Sequence, residues 1–167
     1  NKLSKEIYEA NKKKGFHDKE YSNEHYLMLV ITELSEAVEA DRKGKESNLK
    51  GFEYDVKDFE QFDRPEYRYK ICFEYSIKDT VADELADAII RLLDLAGLRG
   101  WETEYEYDVC PDFFNDKSLT ELIYHGITAL SDIALYPDDS PKVLIKYIEA
   151  LAYSLNIDIL RHVELKL

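Results

Sequence analysis

The chain has little cysteine and little positive charge for its length. Cys72 and Cys110 are the two cysteines among 167 residues. They are too few for a disulfide framework and lack the CxxC spacing of a metal site. Such cysteine usage is typical of the reducing cytoplasm. With 22 lysines and arginines against 35 aspartates and glutamates, the net charge is −13. We therefore expect a cytoplasmic protein that does not bind nucleic acid through a basic face and needs metal ions to bind anions.

Long hydrophobic runs are also absent. No uninterrupted apolar run approaches the roughly 20 residues of a membrane span, and residues 1–30 show no signal-peptide pattern. We therefore expect no membrane association. The composition is nevertheless 45% hydrophobic and 13% aromatic, which is enough to bury a substantial core. The simplest organisation is one domain over residues 1–167.

Apolar residues at helical spacing, together with helix-start residues and glycines, predict a mostly helical chain. Ser118 with Glu121, and Ser140 followed by Pro141, mark two helix starts. The fold class expected is an all-α bundle of about four core helices. The predicted helices cover 2–14, Ser22 or Asn23 to Lys43, Thr80 to Gly97 or Gly100, Ser118 to the residue before Pro137, Ser140 through KVLIKYIEALAYSLNI, and 158–167.

A different pattern fills the gap between the second and third of these helices. Aromatic and aliphatic residues alternate with polar ones in "EYRYKICFEYSIK" and, more briefly, in "FEYDVK". A period of two is typical of a half-buried strand. The pattern predicts a β-hairpin over 51–77, within an insertion covering 44–78. Because a two-stranded ribbon is only marginally stable alone, we expect it to lie on the bundle or on a second subunit.

The stretch "VADELADAIIRLLDLAG", residues 81–97, is apolar nearly all round, yet it carries four charged residues in one narrow stripe. Glu84, Asp87, Arg91 and Asp94 are spaced i, i+3, i+7 and i+10, and a helix advances about 100° per residue. A helix this apolar is packed on several sides. Buried carboxylates are costly unless they are paired, hydrogen-bonded or bound to a metal. The stripe therefore predicts a cleft or a second acidic helix beside it.

A second helix of the same kind lies in "HYLMLVITELSEAVEADRKGK", residues 25–45, where Glu33 and Glu36 are one turn apart. If the two helices pack together, Glu33, Glu36, Glu84 and Asp87 can converge. A set of ligands made only of oxygen suits Mg²⁺, with Mn²⁺ also possible. The sequence therefore predicts a metal site built from these four acids.

Two other interpretations of these acids have to be weighed. With 35 acids in the chain, a Glu-x-x-Glu pair usually marks a solvated helix face, as we expect for Glu6 and Glu9. The pairs on the second and third predicted helices differ because they interrupt the most apolar helices of the chain. A di-iron carboxylate site would need Glu-x-x-His pairs, and no histidine follows a glutamate by three residues.

The segments "GFHDKEYSNEHYLMLVITELSEAVEADRKGK" and "KDTVADELADAIIRLLDLAGLRG" resemble the two central helices of the MazG-like nucleotide pyrophosphohydrolases, which belong to the all-α NTP pyrophosphatase superfamily. The family signature is Glu-x-x-Glu on one helix and Glu-x-x-Asp on the next, matched by Glu33, Glu36, Glu84 and Asp87. Thr32 departs from the family, because many members carry a further glutamate there. The 47 residues between Glu36 and Glu84 are a longer gap than usual.

The resemblance implies a Mg²⁺-dependent enzyme that hydrolyses a nucleoside triphosphate to the monophosphate and pyrophosphate, with the four signature acids as metal-binding and catalytic residues. It also implies a homodimer or a higher homo-oligomer. Candidate substrate-binding residues, chosen by their positions, are Asn23, His25 and Asp94 for the nucleoside, and Arg91 and Lys166 for the phosphates. Arg91 has the alternative role of offsetting the neighbouring acids.

Two non-enzymatic alternatives remain at this point. One is a helical protein that keeps the metal stripe but serves as a nucleotide sensor or an assembly subunit. The other is an interaction module whose acids are structural. Turnover separates the enzyme from both, and metal binding separates the two alternatives from each other.

Overall fold

A computed structural model describes residues 2–58, 65–104, 110–135 and 140–167. Within these ranges the chain forms eight α-helices and one short 3-10 helix, and the all-α prediction is confirmed. The α-helices are α1 (Lys2–Lys13), α2 (Asn23–Arg42), α3 (Leu49–Asp58), α4 (Pro65–Ser76), α5 (Val81–Arg99), α6 (Leu119–Leu135), α7 (Ser140–Ser154) and α8 (Ile159–Lys166), with the 3-10 helix at Pro111–Phe114.

All six helices predicted from apolar spacing are present, as α1, α2, α5, α6, α7 and α8. Local capping explains several boundaries. The Thr80 hydroxyl accepts a hydrogen bond from the Asp83 amide at the start of α5, and Gly100 ends that helix in the left-handed conformation, with φ of 72°. At α6 the Glu121 carboxylate accepts from the Ser118 amide at 2.8 Å, as in a capping box. The predicted end of α6 borders residues 136–139, which lie outside the described ranges.

The β-hairpin predicted over 51–77 is wrong. Residues 49–58 and 65–76 are the helices α3 and α4, and residues 59–64 lie outside the described ranges. Residues four apart in sequence lie on one face of a helix, and an alternating pattern also places apolar residues four apart. The same pattern can therefore belong to a strand or to a helix. On α4 the inward residues are Tyr69, Cys72, Phe73 and Ser76, at helical spacing, whereas Tyr67, Ile71 and Tyr75 of the alternating set are exposed.

The α3–α4 pair has an apolar cluster of its own. Phe52, Cys72 and Ile77 form its buried centre, surrounded by Leu49, Val56, Tyr69, Phe73 and Leu165. Leu165 belongs to α8, so this cluster attaches the end of α8 to α3 and α4.

Helix α5 lies at the centre of the bundle. It packs against α1, α2, α7 and α8, and α6 packs against α2 and α7. Of its 19 residues, 13 are buried, including Asp83, Glu84 and Asp94. The main core is formed by apolar residues of α1, α2 and α5 to α8. Helix α5 therefore contributes both the acidic stripe and a large part of the core. None of the described helices combines the length and the apolar character needed to cross a membrane.

Candidate metal and nucleotide site

Three of the four predicted metal ligands meet where α2 packs against α5. Carboxylate oxygens of Glu33, Glu84 and Asp87 lie within 4.8 Å of one another. Glu33 and Glu84 are only 8% and 5% exposed, respectively, and Asp87 is partly buried. The arrangement follows from the sequence pattern, because residues 84 and 87 occupy one stripe of α5 and Glu33 faces that stripe from α2.

Glu36 stays outside this group. Its side chain is exposed, whereas that of Glu33, one turn earlier, is buried against α5. It is still close enough to raise the pKa of Glu84 through its negative charge. The predicted convergence therefore holds for three acids among the described residues.

Burial and like charges make the acid group electrostatically unfavourable without a cation. Burial is the main reason that the pKa of Glu84 rises to about 7, and the charges of Asp83, Glu36 and Asp87 raise it further. Burial also raises the pKa of Asp87, although Lys166 opposes this change. Closely spaced carboxylates in a poorly hydrated position are the donors that a hard divalent cation prefers. The donor set therefore fits Mg²⁺.

Two basic side chains border the acids. Nε of Arg91 donates to Oε1 of Glu33 at 3.1 Å, and the Arg91 side chain is 44% exposed. Nζ of Lys166 lies 2.5 Å from Oδ1 of Asp83 and 2.5 Å from Oδ2 of Asp87. Both predicted phosphate ligands are therefore paired with acids, which matches the alternative role considered for Arg91.

A cavity of about 270 Å³ opens next to the acids. Asp87, Arg91 and Asp94 form one wall, along the stripe of α5. The opposite walls are largely aromatic, and the remaining lining residues are Asn11, Phe16, His17, Tyr21, His25, Tyr26, Leu29 and Ile90. The cavity therefore places rings and polar groups beside one of the three converging acids.

Stacked rings and a buried polar pair define the cavity walls. The rings of Tyr21 and His25 are stacked, with centroids 4.0 Å apart and planes inclined by 10°. Deeper in the wall, Nε2 of His17 lies 3.0 Å from Oδ1 of Asp94, and both side chains are at most 10% exposed. Asn23, the remaining predicted nucleoside ligand, does not line the cavity, because its Oδ1 accepts from Nε of Arg99 at 2.8 Å.

No family model, curated protein or solved structure matches this chain. The resemblance to the MazG-like pyrophosphohydrolases therefore remains a prediction. The function has to be inferred from the positions of the side chains themselves.

Several cavity residues could not be identified from the sequence. Phe16, His17, Tyr21 and Tyr26 come from the turn after α1 and the start of α2, where no periodic pattern singles them out. Asp83 immediately precedes Glu84 in the sequence, but no spacing rule predicts its ion pair with Lys166. A larger cavity, of about 690 Å³, lies between the segment after α2 and the start of α8, and none of the predicted site residues lines it.

Proposed function

We propose that this chain is a cytoplasmic, Mg²⁺-dependent nucleoside triphosphate pyrophosphohydrolase of the MazG-like kind. The observation that carries the proposal is the convergence of Glu33, Glu84 and Asp87, from two separate apolar helices, beside an aromatic cavity. Solvated acid pairs do not converge in this way. Glu6 and Glu9, at the same spacing on α1, are exposed.

The three acids would hold Mg²⁺, and Glu36 is near enough to add its negative charge. When bound, Mg²⁺ neutralises phosphate oxygens and lowers the pKa of a water molecule. The chain itself supplies the buried position, which limits the access of water, and the fixed spacing of the carboxylates on α2 and α5. Arg91 lies against Glu33 and is partly exposed, so it can turn toward a phosphate oxygen.

The cavity beside the acids suits a nucleobase. Its volume of about 270 Å³ is below the 300 Å³ or more that is typical for whole drug-sized ligands, so it fits one part of a nucleotide. Aromatic faces such as those of Tyr21 and His25 can stack on a base, and His17 with Asp94 offers hydrogen-bonding groups. Because Asp87 lines both the cavity and the acid group, a base bound there directs its phosphates toward the acids.

A panel of nucleoside triphosphates incubated with Mg²⁺, with the products identified by chromatography, tests the proposal. We expect a monophosphate and pyrophosphate from at least one nucleotide. Orthophosphate and a diphosphate as primary products would contradict the proposed bond cleavage. Metal-dependent nucleotide binding without turnover would instead support a sensor.

Matched variants connect this activity to the acids. Glu84→Gln and Asp87→Asn each keep the side-chain volume and remove one charged ligand. We therefore expect each variant to lose turnover by about 100-fold or more, with unchanged helix content. Glu6→Gln, an equivalent change on the exposed face of α1, should keep parental activity. Full activity in all three variants would exclude the proposed site.

The same resemblance leads us to propose a homodimer or a higher homo-oligomer. Light scattering coupled to size-exclusion chromatography measures this directly. A mass of 19.6 kDa at all accessible concentrations would contradict it.

A further inference from the structure

Lys166 places a positive charge inside the acid site. Its ammonium nitrogen lies 2.5 Å from a carboxylate oxygen of Asp83 and 2.5 Å from one of Asp87. The Lys166 side chain is 16% exposed and that of Asp83 is 5% exposed. A lysine on a helix surface normally extends into water, so this enclosed position on α8 needs an explanation.

The inserted helices hold Lys166 in place. The Tyr69 hydroxyl of α4 donates a hydrogen bond to the Leu165 carbonyl at 2.6 Å, and the Leu165 side chain packs into the α3–α4 cluster. The Lys166 ammonium also lies 5.8 Å from the centre of the Phe73 ring, within the range of a cation–π contact. The end of α8 is therefore attached to α4 through two consecutive residues, Leu165 and Lys166.

We propose that Lys166 is a built-in counter-cation of the acid site, which competes with a divalent cation for Asp87. The proposal rests on the metal site proposed above. Asp87 is the shared group, since it is one of the three converging acids and also a partner of Lys166. An ammonium hydrogen-bonded to a carboxylate uses lone pairs that a metal would use, and it repels a doubly charged ion nearby.

This assignment gives the α3–α4 insertion a role. By fixing the end of α8, the insertion keeps the ammonium against the acids and so lowers the affinity of the site for metal. Loss of the Tyr69 hydroxyl removes one of these attachments without changing any charge. Tyr69→Phe should therefore shift metal affinity in the same direction as removal of the lysine charge, by a smaller factor.

Isothermal titration of the full chain with Mn²⁺ tests the proposal. Lys166→Met should bind Mn²⁺ at least about tenfold more tightly than the parent, because a nearby positive charge and a competing donor have been removed. Lys166→Arg, which keeps the charge, should stay close to the parent. The matched control is Lys146→Met, since Lys146 is also paired with an acid, Glu149, at 2.6 Å, but on α7.

Unchanged or weaker Mn²⁺ binding by Lys166→Met, with helix content intact, would overturn the proposal, because it would make Lys166 an orienting partner of Asp87. Melting in chelator provides a second readout. Lys166→Met should melt lower than the parent and gain more from added Mn²⁺, whereas Lys146→Met should gain as the parent does. Equal gains in all three proteins would also overturn the proposal.

The outcome can be separated from that of the proposed function. Tighter Mn²⁺ binding by Lys166→Met without hydrolysis of any nucleotide would reject the enzyme and keep the counter-cation. Hydrolysis of a nucleotide by the parent, with no change of Mn²⁺ affinity in Lys166→Met, would keep the enzyme and reject the counter-cation. Absence of Mn²⁺ binding in every variant would overturn both.

Discussion

At the residue scale, Glu84 shows how burial changes the chemistry of one carboxyl group. It is 5% exposed, and burial, together with Asp83, Glu36 and Asp87, raises its pKa to about 7. A carboxyl group in solution would be fully ionised at neutral pH. In the folded, metal-free protein a large fraction of the Glu84 side chains therefore carries a proton near pH 7.

This shift makes the stability of the metal-free protein depend on pH. Between the ordinary glutamate pKa of 4.5 and the folded pKa of about 7, the folded state binds a proton that the unfolded state has released. The Glu84 contribution therefore favours folding at low pH and is lost as pH rises through this window. We expect Glu84→Gln to gain about 2 to 4 °C in melting midpoint over the parent at pH 8, equivalent to about 1 kcal/mol, and little at pH 5.

Thermal scans in chelator at several pH values, with both proteins at equal ionic strength, check this prediction. Identical pH profiles for the parent and the variant would show that Glu84 titrates normally. Cation affinity should have the opposite pH dependence, because a ligand must be ionised to bind metal.

At the element scale, what could be predicted depended on how local the signal was. The helices that carry the acids have apolar spacing and caps within a few residues, as with Thr80 and Asp83 at α5. The prediction for the α3–α4 region was wrong because its aromatic residues fit both an alternating pattern and a helical one. Packing against Leu165, which the local sequence does not show, selects the helical face. Lys166 contacts Asp87 and Asp83, which lie 79 and 83 residues away in sequence. Spacing rules apply to neighbouring residues and cannot predict such contacts.

The close approach of α1 to α5 gives a prediction about Gly97. A Cβ at this position would lie 2.4 Å from the Ser4 carbonyl oxygen and 2.7 Å from the Tyr8 Cβ. The first of these atoms is backbone and cannot rotate away. Gly97→Ala should therefore destabilise the fold by about 1 to 3 kcal/mol, or roughly 2 to 12 °C in melting midpoint.

Gly126→Ala on α6 is the matched control for this change. Its Cβ would lie 3.3 Å from the nearest ring atom of Tyr147, and alanine has a higher helix propensity than glycine. We expect a small change in melting midpoint, of either sign. A loss in Gly97→Ala no larger than the small change in Gly126→Ala would contradict the steric clash predicted at Gly97.

At the scale of the whole molecule, the proposed metal site predicts a response of the melting midpoint to added cation. A ligand that binds only the folded state, at about 100 times its dissociation constant, adds roughly 2.7 kcal/mol. For a chain of this size Mg²⁺ or Mn²⁺ should raise the melting midpoint by about 5 to 11 °C. The measurement is a thermal scan with and without cation at fixed ionic strength.

A variant with Glu33, Glu36 and Glu84 changed to Gln and Asp87 changed to Asn is the control. It should melt higher than the parent in chelator, because the repulsion among the acids is gone, and it should not respond to cation. Equal responses to metal in the parent and this variant would show that the four acids are not the binding site.

The position of Lys166 on α8, opposite acids on the central α5, has a consequence for local opening of the structure. Ligand binding usually slows amide hydrogen exchange around a site. If the proposed competition holds, a bound cation takes Asp87 from Lys166, which loosens the last turn of α8 and fixes the start of α5. Amide exchange monitored by mass spectrometry should then become faster in peptides from α8 and slower in peptides from α5. Binding of one cation would thus change the exchange rates of two packed helices in opposite directions.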